Sequence, residues 1–118
     1  MRTIEIAITG RPASKKNNRR NFGHISLPSK AFENFKENAL WQLKKYKQKT
    51  PIEYADIEYI FYQKGNMEQD PDNAIASIND VLQDAGIIEN DGKLLKGNWQ
   101  IIRKSLDWST KIKIMAYI

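Results

Sequence analysis

Two aspartates of this 118-residue sequence stand where they could hold a divalent cation. Asp70 and Asp72 flank Pro71, at the point where a strand-like segment gives way to a helix-like one. Proline fixes its own φ and favours an extended backbone at the residue before it, so the direction of the Asp70 carboxylate is constrained. Two carboxylates that converge on Mg²⁺ suit phosphodiester hydrolysis. A structural role is the competing interpretation, because Asp72 is also a good helix N-cap and Asp-Pro is common in turns.

A third aspartate, Asp91, follows the helix that Asp72 begins. A helix from Asp72 to Ala85 is about 20 Å long at 1.5 Å per residue, and residues 86–91 span a similar distance when they are extended. Asp91 therefore reaches the other two aspartates only if this segment runs back along the helix; otherwise a second subunit must supply it. Asp91 also has the sequence context of an ordinary Asp-Gly turn.

Charge is divided unevenly along a chain whose formal net charge is +5. Residues 10–30 contain six basic side chains and no acidic one, whereas residues 67–91 contain seven acidic side chains and no lysine or arginine. A basic segment suits a polyphosphate partner such as DNA. Cations held by the carboxylates would let the acidic segment approach the same phosphates. Pairing of the two segments on the protein surface is an equally good explanation of the charges alone.

The basic segment contains the residues that we expect to contact DNA. Guanidinium, ammonium and amide groups donate to phosphate oxygens and position nucleic acid without reading its sequence. The expected donors are Lys15, Lys16, Asn17, Arg19 and Arg20. The alternative is a solvated loop without a partner. His24 is the sole histidine, which excludes a metal site built from histidines.

Hydrophobic periodicity predicts the elements that position these residues. The expected order is strand, helix, strand, helix, strand and strand, over residues 3–9, 29–46, 52–63, 72–85, 99–104 and 110–118. Residues 10–28 are expected to form a long loop with room for a short extended piece near 24–27, and Ser29 is expected to cap the first helix. We therefore expect an α/β (α+β) fold in one domain over residues 1–118, with a mixed sheet of about four to five strands and two main helices packed on it.

The composition and the first residues of the chain indicate where in the cell the protein acts. There is no cysteine, so disulfides and thiolate metal sites are excluded. Residues 1–5 alternate charged and apolar side chains and lack the apolar core of a signal peptide. No apolar run reaches the length of about 18 residues that a membrane span needs. We therefore expect a cytoplasmic protein with no membrane partner.

Two segments, in matching order and spacing, resemble a known family. The first runs from Asp70-x-Asp72-Asn73 through Asn79-Asp80-Val81-Leu82 to Ala85-Gly86-Ile87-Ile88-Glu89-Asn90-Asp91, and the second is Gly10-Arg11-Pro12-Ala13-Ser14-Lys15-Lys16-Asn17. Together they resemble the RusA family of Holliday-junction resolvases over nearly the whole chain. The resemblance implies a homodimeric, Mg²⁺-dependent endonuclease of DNA recombination and repair that makes paired nicks across a four-way junction. It also implies that Asp70, Asp72 and Asp91 are the catalytic, metal-binding carboxylates, and that no small-molecule cofactor is used.

The chain departs from the family pattern at two places. Ala76 stands where the family usually has a lysine, and Asn90-Asp91 stands where the family often has an acidic pair. A lysine near the metal would stabilise charge that develops on the phosphate. Lys93, two residues after Asp91, is our candidate for this catalytic charge.

These departures keep two other functions open. A protein of the same fold that binds branched DNA but has weakened or lost catalysis is favoured by Ala76. A basic regulator that docks a partner protein on its acidic helix is the third hypothesis. Pro71-Asp72 with Asp91-Gly92-Lys93 also satisfies a loose motif of another nuclease superfamily. In that superfamily the second element follows a hairpin, whereas here a helix intervenes, so we interpret the match as coincidence.

Overall fold

Alternating apolar residues build the central sheet of this protein. The computed structural model describes residues 2–13, 20–22, 25–27, 29–67 and 69–117. Its strands are β1 (Arg2–Thr9), β2 (Arg20–Phe22), β3 (Ile25–Leu27), β4 (Ala55–Lys64), β5 (Leu94–Ser105) and β6 (Ser109–Ala116). Its helices are α1 (Lys30–Leu43), which continues into a 3₁₀ turn (Lys44–Tyr46), and α2 (Pro71–Asp84), and a second 3₁₀ turn (Asp91–Lys93) precedes β5.

Strand direction decides which loops meet. Four strands form one sheet in the order β1-β6-β4-β5, in which β4 and β5 are parallel and the other neighbours are antiparallel. The three strands β1, β4 and β5 consequently run in the same direction and end on the same side. We call this side the carboxyl end of the sheet and the opposite side its amino end. The expected mixed sheet with two packed helices is confirmed.

Both helices cover the same face of the sheet. Side chains along a strand alternate between its faces, and the buried set on β4 is Ala55, Ile57, Tyr59, Phe61 and Gln63. These pack with fully buried residues of α1 and α2, including Ala39, Leu43, Ile78, Val81 and Leu82. The opposite face carries Glu58, Lys111 and Lys113, which are exposed or half-buried. The core therefore lies between the helices and one face of the sheet.

The first helix follows the sequence prediction closely. The Ser29 side chain accepts a hydrogen bond from the Phe32 amide at 3.1 Å, which satisfies one of the free donors of the first turn. Phe32, Phe35, Ala39 and Leu43 are buried on one stripe. The predicted cap is confirmed. No helix in the described part of the chain is long and apolar enough to cross a membrane.

The second helix, β5 and the loop over residues 10–28 differ from their sequence predictions. The second helix begins at Pro71 rather than at Asp72 and is capped by Asp70, because proline is well suited to the first helical position. β5 begins at Leu94 instead of residue 99; its first half lacks alternation, and pairing with β4 alone imposes the strand. The loop over residues 10–28 contains a two-stranded hairpin, β2–β3, where a single extended piece was expected.

Candidate active site

The start of α2 places two of the predicted site residues side by side. Asp70 Oδ1 accepts a hydrogen bond from the Asp72 amide at 2.9 Å, and Asp70 Oδ2 accepts one from Asn73 Nδ2 at 3.4 Å. Both aspartates are exposed. The helix N-terminus carries a partial positive charge that suits acidic side chains. The pair is therefore open to solvent and fixed in direction by the cap and Pro71.

Residues 10–13, which lead into the predicted DNA-binding residues, lie against this pair. Gln69 Nε2 donates a hydrogen bond to the carbonyl oxygen of Pro12, which joins the residue before Asp70 to the segment that follows β1. At the same end of the sheet, the Gly10 amide donates to the Trp108 carbonyl at 2.9 Å, and the Arg11 guanidinium lies 4.7 Å from the centre of the Trp108 ring. Residues 10–13 are thus held at the carboxyl end, beside the start of α2.

The predicted DNA-binding residues come directly after this anchored segment. Lys15, Lys16, Asn17 and Arg19 lie outside the described residues. Arg20 begins β2, where its backbone pairs with Leu27. Their role in DNA binding stays a prediction. The last described residue before them, Ala13, directly follows Pro12, whose carbonyl oxygen accepts a hydrogen bond from Gln69.

Asp91 lies near the other end of α2. Its amide donates to Gln83 Oε1 at 3.1 Å, and Gln83 follows Asp72 by eleven helical residues, or about 16 Å along the axis. Gln83 Nε2 in turn donates to the Asn79 carbonyl at 3.3 Å, so Asp91 lies beside the second half of α2. The Ile87 amide bonds to the Leu82 carbonyl at 3.0 Å, and Ile88 forms a parallel bridge with Ile52, which hold the connecting segment there. A single chain therefore keeps Asp91 away from the Asp70–Asp72 pair.

A stripe that is polar except at Ala76 runs along α2 and connects its two ends; we call it the polar stripe. Asp72, Ala76, Asn79 and Gln83 follow one another at intervals of four, three and four residues, so they share one side of the helix. Asn79 is buried, and its Oδ1 accepts a hydrogen bond of 2.5 Å from the Tyr59 hydroxyl of β4. Burial raises the pKa of Tyr59 above its ordinary value, against the lowering effect of the Asn79 bond, and the nearby Asp91 charge raises it further.

Sequence reasoning missed the Tyr59–Asn79 pair and the role of Gln83. The available signal was the spacing of the polar side chains Asp72, Asn79 and Gln83, which follow one another at seven and four residues beside the apolar stripe of the helix. Polar residues next to a buried stripe usually have a partner in the fold. The stripe also contains Ala76, which is half-buried.

Lys93, the predicted catalytic cation, is occupied by other partners. Its Nζ lies 2.7 Å from Glu89 Oε1 and 3.3 Å from Glu53 Oε1, and 5.4 Å from the centre of the Tyr54 ring. The hydrogen bond to Glu89 holds the pKa of the Lys93 ammonium above its ordinary value, and Glu53 adds to this effect. Lys93 thus forms a surface cluster at the amino end of the sheet, on the side opposite the Asp70–Asp72 pair.

The donor chemistry fits Mg²⁺ in part. Carboxylate oxygens are hard ligands of the kind that this cation prefers, and Mg²⁺ commonly uses one or two carboxylates together with water and phosphate oxygens. Asp70 and Asp72 supply two such groups. Among the described residues, no three acidic or histidine side chains come close enough to hold one ion. One chain therefore provides an open half-site and not a closed cage.

Comparison with known proteins shows a distant similarity. No family model matches the chain. The chain is 26% identical over 99 residues to a protein of Aquifex aeolicus (strain VF5) named crossover junction endodeoxyribonuclease RusA, and the match covers 81% of this chain and 78% of that protein. The similarity thus extends over most of both sequences. The chain is thus distantly similar to a protein that is named as a crossover junction endodeoxyribonuclease.

Proposed function

We propose that this protein is a structure-specific endodeoxyribonuclease that cuts branched DNA, with the four-way junction as its substrate. The observation that carries the proposal is the exposed Asp70–Asp72 pair at a helix N-terminus. This pair lies beside residues 10–13, which lead into the predicted DNA-binding residues. The similarity to a crossover junction endodeoxyribonuclease over 81% of the chain supports this choice among nucleases. We place its activity in DNA recombination and repair in the cytoplasm.

Each group has a distinct task in this proposal. Asp70 and Asp72 hold Mg²⁺, which when bound lowers the pKa of a water molecule and offsets charge on the scissile phosphate. The helix N-terminus beside them adds a favourable field for the phosphate. Lys15, Lys16, Asn17, Arg19 and Arg20 donate to the flanking phosphates and fix the DNA in register.

The third carboxylate comes from a second copy. Gln83 and the Ile52–Ile88 bridge hold Asp91 near the far end of α2, so Asp91 of the partner subunit completes each site. A homodimer also suits the substrate, because a four-way junction has two equivalent strands to cut and a two-fold dimer presents two equivalent sites.

Subunit mixing tests the proposal. Asp70→Asn and Asp91→Asn should each reduce Mg²⁺-dependent cleavage of a synthetic four-way junction by about 100-fold or more, while binding to the junction survives. A mixture of the two variants contains heterodimers in which one site has Asp70 from one copy and Asp91 from the other. This mixture should recover nicking of one strand.

The outcomes separate the claims. Cleavage by the Asp70→Asn variant at the wild-type rate would contradict the assigned site. Loss in both variants without recovery on mixing would place Asp91 and Asp70 in the same chain. Omission of Mg²⁺ should abolish cleavage by the wild-type protein and leave junction binding intact.

Ala76 favours a second candidate function, a branched-DNA-binding protein of the same fold with weakened catalysis. Ala76 lies one turn after Asp72 on the polar stripe, and Lys93 is held by Glu53 and Glu89. Under this hypothesis Ala76→Lys should raise the single-turnover cleavage rate at saturating Mg²⁺, by up to about 100-fold, and Lys93→Ala should have little effect. The reverse pattern would assign the phosphate charge to Lys93.

A further inference from the structure

Leu106 is 90% exposed, more than any other large hydrophobic side chain in the described part of the chain. It begins the loop over residues 106–108, which joins β5 to β6. Because β4 lies between these two strands in the sheet, the loop crosses the end of β4 at the carboxyl end. A single exposed leucine is common on protein surfaces, so its surroundings decide whether it has a role.

Backbone hydrogen bonds hold both ends of this loop. On one side, the Lys104 amide donates to the Gly65 carbonyl at 2.8 Å, and the Gly65 amide donates to the Ser105 carbonyl at 3.4 Å. On the other side, the Gly10 amide donates to the Trp108 carbonyl at 2.9 Å. Lys104 has a φ of 60°, in the left-handed region that lysine rarely adopts, and such strained residues cluster at ligand-binding and active sites. The leucine therefore stands on a short loop that is held at both ends.

The two segments that hold the loop both lead to the candidate active site. Gly65 lies five residues before Asp70, on the connection from β4 to α2. Gly10 is followed two residues later by Pro12, whose carbonyl oxygen accepts the hydrogen bond from Gln69. The exposed leucine is therefore presented at the same end of the sheet as the candidate active site, on a loop that is bonded to both segments.

The charges around the loop favour a partner that carries phosphates. Among residues 10–12, 64–66 and 104–108, the basic side chains are Arg11, Lys64 and Lys104, all of them exposed, and the acidic one is Asp107. The Arg11 guanidinium lies 4.7 Å from the centre of the Trp108 ring, which places this cation beside the loop. Cations attract the phosphates of DNA, while the leucine between them suits a partner that also offers an apolar surface. The face of a base pair is such a surface.

We propose that Leu106 is an apolar wedge that packs against the face of a base pair at the branch point of DNA, and that it thereby distinguishes branched from linear DNA. This inference rests on the proposed function and adds the residue that selects the substrate. In linear DNA a leucine must unstack two base pairs before it can insert between them. At a branch point, base pairs lose their stacking neighbours whenever the arms separate. Leu106 therefore buries apolar area there at a lower cost.

A synthetic four-way junction with 2-aminopurine beside the branch point tests the wedge, with Ca²⁺ in place of Mg²⁺ to slow cleavage. Stacking between bases quenches the fluorescence of 2-aminopurine, so binding of the wild-type protein should raise it. Leu106→Ala should remove most of this rise and lower the preference for the junction over linear duplex, measured as a ratio of dissociation constants, by about 10-fold. Leu95→Ala is the matched control, because Leu95 is 61% exposed at the amino end of the sheet; it should change neither quantity.

Cleavage assays with Mg²⁺ separate failure of the wedge from failure of the function. Because Leu106 is exposed, Leu106→Ala should unfold at the wild-type temperature, so its effect on DNA is not a loss of folding. An equal fluorescence rise in the wild type and in Leu106→Ala would overturn the wedge, even if the protein cuts junctions. An equal loss of affinity for junction and linear duplex would also overturn it, since Leu106 would then be a general DNA contact. A rise that depends on Leu106, in a protein that cuts no junction, would support the wedge and contradict the proposed function.

Discussion

The two ends of α2 differ in how their polar side chains are used. At its N-terminus, Asp70 and Asp72 are exposed, and the hydrogen bonds of Asp70 are local contacts of the first turn. Toward its C-terminus, Asn79 is buried on Tyr59, and Gln83 holds the Asp91 amide. The first end has charge available for a ligand, whereas the second end uses its polar groups to position the chain.

This difference explains why one chain makes half a site. The apolar positions between the two ends, of which Ile78 is fully buried, fix α2 on the sheet and so keep the ends apart. Groups at the N-terminal end can change with a modest cost in stability, because their contacts are local. Changes at the C-terminal end disturb contacts between helix and sheet.

The largest effect on stability is expected in the middle of the helix. Ile78→Ala removes a fully buried side chain and should lower the free energy of unfolding by about 2–5 kcal/mol, measured by urea denaturation. Ile75→Ala is the matched control, since Ile75 is only half-buried and should cost less. Equal losses from the two variants would contradict the assigned face of the helix.

The Tyr59–Asn79 pair should show the next largest effect. Tyr59→Phe leaves the buried Asn79 Oδ1 without the hydroxyl that donates to it, which should lower the free energy of unfolding by about 1–3 kcal/mol. Tyr54→Phe changes an exposed hydroxyl and should have little effect. A neutral Tyr59→Phe substitution would show that the contact contributes little to the C-terminal end.

The same pair predicts a dependence on alkaline pH. The pKa of Tyr59 is raised in the folded protein above its ordinary value of 10.0, so an unfolded chain loses this proton first. Above pH 10.0 the folded state thus binds more protons than the unfolded state, and the free energy of unfolding falls as the pH rises. Denaturation at pH 9 to 11 should show a smaller alkaline loss in Tyr59→Phe than in the wild type.

At the N-terminal end, stability and catalysis should separate. Asp70→Ala removes the cap of α2 and should cost about 0.5–2 kcal/mol, whereas Asp70→Asn keeps a capping oxygen and should cost less. Both variants remove the negative charge, so both should lose junction cleavage to a similar degree. Retained cleavage in Asp70→Asn, together with full loss in Asp70→Ala, would show that Asp70 acts only as a structural cap.

The smallest effect is expected at Lys93. Its contacts with Glu53 and Glu89 are solvent-exposed ion pairs, and such pairs contribute little to stability because water screens them. Lys93→Met should therefore leave the midpoint of thermal unfolding nearly unchanged at moderate salt. A large drop would mean that this cluster at the amino end anchors the start of β5.

Local sequence was sufficient where the decisive contacts are local. Ser29 caps the first helix by bonding three residues ahead, and the strand at the chain start follows from the alternation of Ile4, Ile6 and Ile8, of which Ile6 and Ile8 are buried. The start of the second helix was predicted within one residue. The difference of one residue is due to Pro71, which occupies the first helical position and makes Asp70 the cap in place of Asp72.

The sequence alone therefore determined the order of the main elements, the two packed helices and the charged pair at a helix start, because each depends on periodicity or on residues within a few positions. Tertiary structure alone decided that Gln69 joins the Pro12 segment to the Asp70–Asp72 pair and that β5 extends back to Leu94. It also decided that the Asp91 amide bonds to Gln83, beside the second half of α2, and that Asp91 does not join Asp70 and Asp72 around one ion. These features depend on contacts between residues far apart in the chain, or on pairing with another strand, and neither leaves a periodic pattern in the sequence.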